Sequence, residues 1–410
     1  MIKWLPAFAF AAIPVAVAWA RGGAFAPWHG PLLGISLATA LLAFTVSAAE
    51  SSDGWRGACC ACLKLLREPA VGLGFCFLCL LLVQCLNSGR GLVFAAAGHR
   101  WIYTPPPVPG LPSSFERREA FEIVAWFVPA WSMVVMARGA RFDRTRAVLI
   151  LYLIVAHAAC LGLLGIAQFV THTKAIFWRQ HIEAVFFATF GYANHAGIYF
   201  LLAAMLALSL LIFEVEHHRL ASPGPGRIGL LAAALVICTI AVHLSYRRGA
   251  VLILWVSAAA TVTVVLKRLW PRMWPAQRVN CVAMLVAVAS LGAGAAVVFG
   301  GRNLGVEIGS LARPESWAWF SADSDRRIIA RAAVDTWLEH PVWGVGGWGF
   351  RYCLGQHLAP EQWHIITAGK ANVHNDALQF LCEFGVVGMG LLLAILVLLL
   401  RPWRAILRSG

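Results

Sequence analysis

Stretches of apolar residues long enough to cross a lipid bilayer recur along the whole chain. A helix needs about 20 apolar residues to span the hydrocarbon core, where every backbone polar group must be satisfied internally. We place about ten such runs, near residues 5–20, 30–48, 70–86, 119–137, 147–170, 195–213, 228–246, 249–266, 280–299 and 385–400. With 60% hydrophobic and only 13% charged residues, the composition excludes a soluble domain. The sequence therefore predicts an all-α polytopic membrane protein.

The spacing of the apolar runs divides the chain into three predicted parts. Residues 1–299 are expected to form a transmembrane helix bundle, 300–384 an external helical cap, and 385–410 a final transmembrane helix with its tail. The cap segment is too long for a simple connection and too apolar to be disordered. Because 30–66 has room for a further short or re-entrant helix, we expect about 10–12 membrane helices.

The distribution of lysine and arginine orients these parts, since cytoplasmic loops are richer in both residues. With the N-terminus inside, most basic residues of the short loops fall on the cytoplasmic side. Both termini are therefore predicted to be cytoplasmic, and the segments 87–118 and 300–384 to be external. The first of these holds a proline-rich stretch, Tyr103–Pro112, which should be stiff and extended. The first span lacks a clear cleavage site, so we interpret it as a retained helix.

The formal net charge of +14 does not indicate a nucleic-acid partner. The basic residues are scattered over loops on both sides of the predicted membrane and form no continuous stripe, so contact with anionic membrane lipids explains them better.

The eleven cysteines give weak signals. Cys59, Cys60 and Cys62 resemble half of a metal site, but no second half follows, and we interpret them as small apolar residues. Cys353 and Cys382 are the candidates for an external disulfide, although free thiols are favoured.

The predicted cap contains a helix that begins in a Ser/Asp cluster and ends at a proline. At 100° per residue, Arg326 projects between Ala333 and Trp337 on the apolar side, whereas Arg327 and Arg331 face solvent. An arginine on an apolar face is costly unless it meets an anion. Arg326 is therefore a candidate catalytic residue.

A glycine-rich turn, Gly344–Phe350, follows this helix. It lacks the strand, turn and helix context of a nucleotide-binding loop. A backbone bend or close packing is the favoured interpretation.

His374 and Asn375 stand directly ahead of the apolar run 385–400. We expect a short interfacial helix before that run, with His374 in its first turn. Unpaired backbone N–H groups there disfavour the imidazolium and leave a neutral ring that can accept a proton. This is the property that a general base needs.

Two further pairs lie at predicted external ends of membrane spans. Arg247 and Arg248 occupy a very short turn between two spans, and Asn194 and His195 lie at the mouth of another. Ionisable groups at such places are functional candidates. The alternative for the arginines is ordinary contact with lipid phosphate, and for Asn194 and His195 it is a helix cap with a packed ring.

The predicted external region contains one Asp-x-Asp motif, formed by Asp323 and Asp325. Its place at the start of a predicted helix favours capping over metal binding. The other external carboxylates are dispersed along the sequence, so we predict no metal site.

Together, these motifs resemble the O-antigen ligase and O-antigen polymerase superfamily of bacterial inner-membrane glycosyltransferases, and the ligase most of all. The matching pieces are Arg248-Gly249, Arg326 through His340-Pro341 with Gly344-Val-Gly, and His374-Asn375 ahead of Glu383-Phe-Gly385. They cover the chain from about residue 190 to 400, whereas the N-terminal spans match only in hydropathy. The family usually has Ser-Arg-Gly where this chain has Tyr246-Arg247-Arg248-Gly, so both arginines remain candidates.

The resemblance implies transfer of O-antigen from undecaprenyl diphosphate to a sugar hydroxyl of the lipid A-core oligosaccharide on the periplasmic face. It also implies a fold like that of class C glycosyltransferases, with a helical periplasmic cap and no cofactor. The roles implied are general base for His374, leaving-group stabilisation for Arg326 and Arg248, and substrate binding for Arg247, Asn194, His195 and Asn375. A polymerase or a protein O-oligosaccharyltransferase would use the same donor. A lipid-linked glycan transporter is disfavoured because the chain shows no matched pair of broken spans.

Overall fold

The computed structural model describes residues 4–23, 26–49, 54–95, 100–140, 142–182, 186–217, 225–269, 325–367 and 372–409, with single residues at 278, 290 and 294. In chain order its helices and strands are α1 (Leu5–Trp19), α2 (His29–Ala49), α3 (Gly54–Leu66), α4 (Pro69–Leu86), β1 (Gly91–Ala95), β2 (Arg100–Thr104), α5 (Arg117–Gly139), α6 (Arg144–Val170), β3 (Ala175–Ile176), β4 (Gln180–His181), α7 (Ala193–His217), α8 (Pro225–Leu244), α9 (Arg248–Leu269), α10 (Asp325–Glu339), α11 (Phe350–Cys353), α12 (His364–Thr367) and α13 (Asp376–Ser409). Short 3-10 turns occur at Arg21–Gly23, Ala26–Trp28, Leu354–His357 and Pro360–Gln362.

Seven of these described helices, α2, α4 to α8 and α13, are long and apolar enough to cross a membrane. Helix α1 and the Gly249–Val264 part of α9 are shorter apolar helices. The predicted class, an all-α polytopic membrane protein, is confirmed. Nine of the ten predicted spans coincide with helices, and the tenth, 280–299, falls almost wholly outside the described residues. Helix α3 is the additional short helix expected within 30–66.

The loop 87–118 contains structure that the sequence analysis did not predict. Strands β1 and β2 pair antiparallel from Gly91 with Thr104 to Ala95 with Arg100. The proline-rich stretch leaves this hairpin and is held by Asn87, whose Oδ1 accepts a hydrogen bond from the Val108 N–H at 2.9 Å.

Contacts divide the chain into two compact units. The first comprises Met1–Trp28 and Phe142–Ser310, and the second comprises His29–Arg141 and Leu311–Gly410. The predicted parts were defined by the side of the membrane on which they lie, and contacts do not test that division. The boundaries at residues 299 and 384 therefore remain a prediction.

In the first unit, helices α6, α7 and α8 pack against one another, α1 packs on α6, and α9 packs on α7. Aromatic side chains fill its core, where Phe187 and Phe200 meet edge to face at 5.5 Å between ring centroids. Gly165 permits this packing, because a Cβ there would lie 2.4 Å from the Phe187 ring. Such close approach requires a residue without a side chain.

In the second unit, α5 packs against α2 and α4, and α13 packs on α4. Phe77, Phe127 and Phe384 form one aromatic cluster in this bundle. A second cluster joins α10, α11 and the residues before and within α13. Cys353 and Cys382 are both buried there as free thiols, so the candidate disulfide is absent and the favoured interpretation holds.

The glycine-rich turn packs backbone to backbone against a sharp bend in α13. At Gly385 the helix bends, with φ 63° and ψ −170°. The Val345 N–H donates to the Cys382 carbonyl at 3.0 Å and the Gly346 N–H to the Glu383 carbonyl at 2.9 Å. A Cβ at Gly344 would lie 2.4 Å from the Glu383 carbonyl carbon. Close packing, one of the two predicted explanations for these glycines, is confirmed.

Replacement of Gly385 by alanine should destabilise the second unit. A Cβ at this position would lie 2.2 Å from the Val342 carbonyl oxygen, and its backbone region is essentially reserved for glycine. We expect Gly385→Ala to lower the free energy of unfolding by about 2–4 kcal/mol. Gly390 provides the control on the same helix, because a Cβ there meets no described atom within 4 Å. Thermal unfolding in detergent should separate the two variants, and equal midpoints would contradict the role given to Gly385.

Candidate active site

Arg326 lies in the first turn of α10, in the second unit. The buried face of this helix has the predicted phase and consists of Ile329, Ala332, Ala333 and Thr336. Arg326 itself is exposed, because the packed part of the helix begins only at Ile329, one turn later. The prediction that Arg326 bears the cost of an apolar environment is therefore wrong. Arg327 and Arg331 are exposed, as predicted.

His374 lies two residues before α13. The prediction that it lies in the first turn of the helix is therefore wrong. The backbone of His374 is left-handed, with φ 57°, and its side chain is exposed. Asn375 is the cap instead, because its Oδ1 accepts a hydrogen bond from the Leu378 N–H at 3.2 Å. One of the N–H groups of the first turn is thus satisfied by Asn375 and is not available to act on the His374 ring.

The residues around His374 hold its position. Val373 is buried, and its N–H donates to Gln379 Oε1 at 3.4 Å. Gln379 Nε2 in turn donates to Glu383 Oε1 at 3.2 Å, and the Trp348 backbone N–H donates to the same buried carboxylate. His374 is thus an exposed imidazole on a backbone fixed by buried neighbours, which is the support that a positioned catalytic group requires.

One core cluster supports both candidate residues of the second unit. Val373, next to His374, packs in the same cluster as Ile329, three residues after Arg326. Helices α10 and α13 also contact each other directly. Helix α10, which carries Arg326, and the segment before α13, which carries His374, therefore pack on the same core.

In the first unit, three of the predicted residues meet at Tyr192. Asn194 Nδ2 donates to the Tyr192 hydroxyl at 2.8 Å, and the His195 ring lies edge-on to Tyr192 at 5.1 Å between centroids. The guanidinium carbon of Arg247 lies 5.7 Å from the Tyr192 ring centroid, within cation–π range. The sequence analysis missed Tyr192, although it stands two residues before Asn194.

The turn before α9 distinguishes the two neighbouring arginines. Arg247 precedes the helix, and its carbonyl accepts a hydrogen bond from the Val251 N–H at 3.1 Å. The buried Nε of Arg247 has no hydrogen-bond partner among the described residues. Gly197 lets this turn approach α7, since a Cβ there would lie 3.0 Å from Ser245 Oγ and 3.1 Å from Ala250 Cβ. Arg248 is the first residue of α9, and its side chain lies outside what the structure describes.

Comparison with known proteins finds a family match for part of the chain. Residues 233–393 match the family model described as O-antigen ligase. The chain is similar to O-antigen ligases over these residues, which we call the O-antigen ligase segment. No curated protein and no solved structure matches the chain.

The O-antigen ligase segment contains most of the predicted site. Arg247, Arg248, Arg326, His374 and Asn375 all lie within it, whereas Asn194 and His195 precede it. The family match and the apolar helices support a multi-pass membrane protein with glycosyl transfer of the O-antigen ligase type in general. The individual roles of these residues remain predictions.

Carboxylates near Arg326 do not assemble into a metal site within the described part of the chain. No three His, Cys, Asp or Glu side chains there could hold a metal ion. Asp325 begins α10, and its Oδ1 lies 3.4 Å from His364 Nε2. Asp323 falls outside the described residues, so the choice between capping and metal binding at this motif stays a prediction.

Loss of the Asn375 cap should be measurable as a loss of stability. Asn375→Ala removes the acceptor for the Leu378 N–H, and caps of this kind contribute about 0.5–2 kcal/mol. Asn375→Asp keeps an acceptor in place and serves as the control. We expect a lower unfolding midpoint in detergent for the alanine variant alone. Unchanged midpoints for both variants would show that the cap does not hold this segment.

Proposed function

We propose that this protein transfers an O-antigen glycan from undecaprenyl diphosphate to a sugar hydroxyl of the lipid A-core oligosaccharide. The observation that carries the proposal is His374, an exposed imidazole on a left-handed backbone held by buried neighbours within the O-antigen ligase segment. Non-glycine residues with positive φ are uncommon, and such strained positions cluster at active sites.

The proposed reaction is a single displacement at the anomeric carbon of the donor glycan. The acceptor hydroxyl oxygen forms the new glycosidic bond while the bond between the anomeric carbon and the diphosphate oxygen breaks. His374 accepts the hydroxyl proton as general base. The electron pair of the broken bond leaves with undecaprenyl diphosphate, whose negative charge increases.

Arginine is suited to stabilising that leaving group. Its guanidinium forms bidentate hydrogen bonds to phosphate oxygens, and charge stabilisation of this kind is often the largest catalytic contribution. We assign this role to Arg326 and Arg248. Arg247 has a buried Nε without a partner among the described residues, and Asn194 and His195 share its contact with Tyr192. We assign these three residues, with Asn375, to substrate binding.

The proposed substrates also indicate where the protein lies in the cell. The proposed donor glycan and the lipid A-core acceptor are both attached to membrane lipids, so the enzyme should lie in the bacterial inner membrane. Its active site should lie on the periplasmic face, and both termini should be cytoplasmic. The orientation follows from the lysine and arginine distribution along the chain.

Lipopolysaccharide from a strain that lacks this protein tests the acceptor. Loss of all O-antigen bands above an intact core would support the ligase. A core carrying a single repeat unit would instead indicate a polymerase. Unchanged lipopolysaccharide with loss of glycosylated proteins would indicate a protein O-oligosaccharyltransferase. A transporter would be indicated if the purified protein does not transfer glycan in detergent but moves lipid-linked glycan across the membrane of reconstituted vesicles.

Removal of His374 should abolish transfer without unfolding the protein. His374 is exposed, so His374→Ala removes the base while the buried core next to it stays unchanged. Asn375→Ala should retain more activity, because it weakens only the cap. Transfer by purified protein in detergent, followed on gels, measures both. A near-native rate for His374→Ala would exclude the general-base role.

Substitution of Arg326 should slow transfer much more than substitution of its neighbour. Arg326→Ala, and at least one of Arg247→Ala and Arg248→Ala, should cost about 2–4 kcal/mol of transition-state stabilisation, the loss typical of one charge-stabilising donor. Arg327→Ala and Arg331→Ala are matched controls on α10 and should be near neutral. Equal losses at Arg326 and Arg327 would mean that α10 does not present Arg326 to the substrate.

Transfer should proceed without a divalent metal ion. A Mg²⁺ or Mn²⁺ ion bound to a diphosphate usually requires one or two carboxylates, and our assignment gives that charge compensation to arginine. The rate should therefore be unchanged in saturating EDTA, and Asp323→Ala with Asp325→Ala should affect stability more than turnover. Abolition by EDTA, with recovery on adding Mg²⁺ or Mn²⁺, would make these aspartates the leading ligands.

A further inference from the structure

The second unit contains a cavity of about 350 Å³ beside the β1–β2 hairpin. Its volume falls in the range of small-ligand pockets, roughly 300–1,000 Å³. The residues that line it include Arg90, Trp101, Phe115, Glu116, Tyr352 and Gln356. None of them has a role in the reaction proposed above.

Arg90 brings a positive charge to this cavity. No carboxylate among the described residues forms an ion pair with it, and its buried Nε has no hydrogen-bond partner there. The nearby carboxylate of Glu339 accepts hydrogen bonds from the Tyr103 hydroxyl at 2.8 Å and from Gln356 Nε2 at 3.0 Å. A buried donor left without an acceptor is costly, and an anionic oxygen is its best partner.

His340, the residue that directly follows α10, brings no negative charge to Arg90. Arg90 Nη2 lies 3.1 Å from His340 Nδ1. Arginine can only donate, so the ring nitrogen accepts and the imidazole is neutral. Burial, reinforced by the charge of Arg90, lowers the pKa of His340 to about 4. At neutral pH the pair therefore carries a single positive charge.

Aromatic rings provide the other wall of the cavity. Trp101 is 40% exposed and Tyr352 is 38% exposed. Tyr352 stacks on Phe115 at 5.0 Å between centroids, and its hydroxyl donates to Glu119 Oε2 at 3.0 Å. The rings are thus held in place while part of their surface stays accessible. The C–H face of a sugar ring is apolar and covers such a surface well.

We propose that this cavity binds one sugar of the glycan substrate, a sugar that carries a phosphate or a carboxylate. The anionic group lies on Arg90, the apolar face of the ring lies on Trp101 or Tyr352, and Gln356 and Glu116 provide hydrogen-bonding groups for the hydroxyls. The proposal rests on the proposed function in taking a glycan as the substrate, and the distance of the bound sugar from the reacting one rests on the role proposed for Arg326.

The cavity lies far from the residue assigned to the leaving group. Glu339, which contacts Gln356 at the cavity, ends α10, whereas Arg326 lies in its first turn. At 1.5 Å per residue these two positions are about 20 Å apart along the helix. The bound sugar is therefore a different one from the sugar that reacts.

Direct binding to the purified full-length protein in detergent tests the site. Saturation-transfer NMR with four probes separates its two elements: glucose 6-phosphate, glucuronic acid, glucose and inorganic phosphate. We expect the two anionic sugars to bind at least about tenfold more tightly than glucose or phosphate. This factor corresponds to roughly 1.4 kcal/mol, close to the lower limit for one charge-assisted hydrogen bond. Trp101→Ala and Arg90→Gln should each weaken binding of glucose 6-phosphate about tenfold.

Matched controls use residues outside the cavity. Trp363 is exposed in the same unit, and Arg331 is exposed on α10, so Trp363→Ala and Arg331→Ala should bind normally. If Arg90→Gln fails to fold, Trp101→Ala still decides the question, because Trp101 is partly exposed. Equal affinity for all four probes, phosphate binding as tight as that of glucose 6-phosphate, absence of binding, or equal effects of Trp101→Ala and Trp363→Ala would each overturn the proposal.

A transfer assay distinguishes the source of the sugar. Trp101→Ala should raise KM about tenfold for one substrate, either the lipid-linked donor or the lipid A-core acceptor, and leave kcat unchanged. The substrate affected is the one that carries the bound sugar. Probe binding without any transfer activity would contradict the proposed function and leave the cavity assignment intact. Transfer with an unchanged KM in Trp101→Ala, together with no probe binding, would contradict the cavity assignment and leave the proposed function intact.

Discussion

The close approach of two backbone segments in the second unit determines where its candidate catalytic residues lie. The turn after α10 runs along the bend in α13, and the Val386 N–H donates to the Pro341 carbonyl at 2.9 Å. Gln84, on α4, reaches the same place and donates to the Trp343 and Glu383 carbonyls at 3.1 and 3.3 Å. Backbone groups of a bent helix inside a membrane protein would otherwise lack partners, and this packing provides them.

This contact also explains why an exposed histidine can be well positioned. Glu383 lies at the bend and accepts from Gln379, which in turn accepts from the Val373 N–H. The hydrogen bonds therefore run from the bend back to the residue before His374. A change at the bend should be transmitted to His374 through these three residues, without any alteration of the imidazole itself.

The features that depend on local pattern could be predicted from the sequence, and those that depend on distant contacts could not. Apolar run length predicted the membrane helices, and the helical periodicity of α10 correctly placed Ala333 on its buried face. The phase could not show that Arg326 precedes the packed part of the helix. Nor could it show the left-handed backbone of His374, which neighbouring contacts impose. Tyr192 was missed because its contact with Arg247 joins residues far apart in sequence.

The cavity could not be predicted from the sequence either, because it depends on contacts between distant residues. Arg90 and His340, for example, are 250 residues apart. The position of the cavity has a consequence for substrate size. Helix α10 is a stiff rod between Arg326 and Glu339, so a molecule that occupies the cavity while it reacts near Arg326 must extend over about 20 Å. A monosaccharide is too short for both positions, whereas an oligosaccharide with an acidic sugar some distance from its reacting end fits. The length of α10 would then set the minimum length of the glycan that can occupy both positions. A glycan that is too short loses the contact with Arg90 but keeps the same reacting groups, and binding energy away from the reacting bond is what discriminates between such substrates.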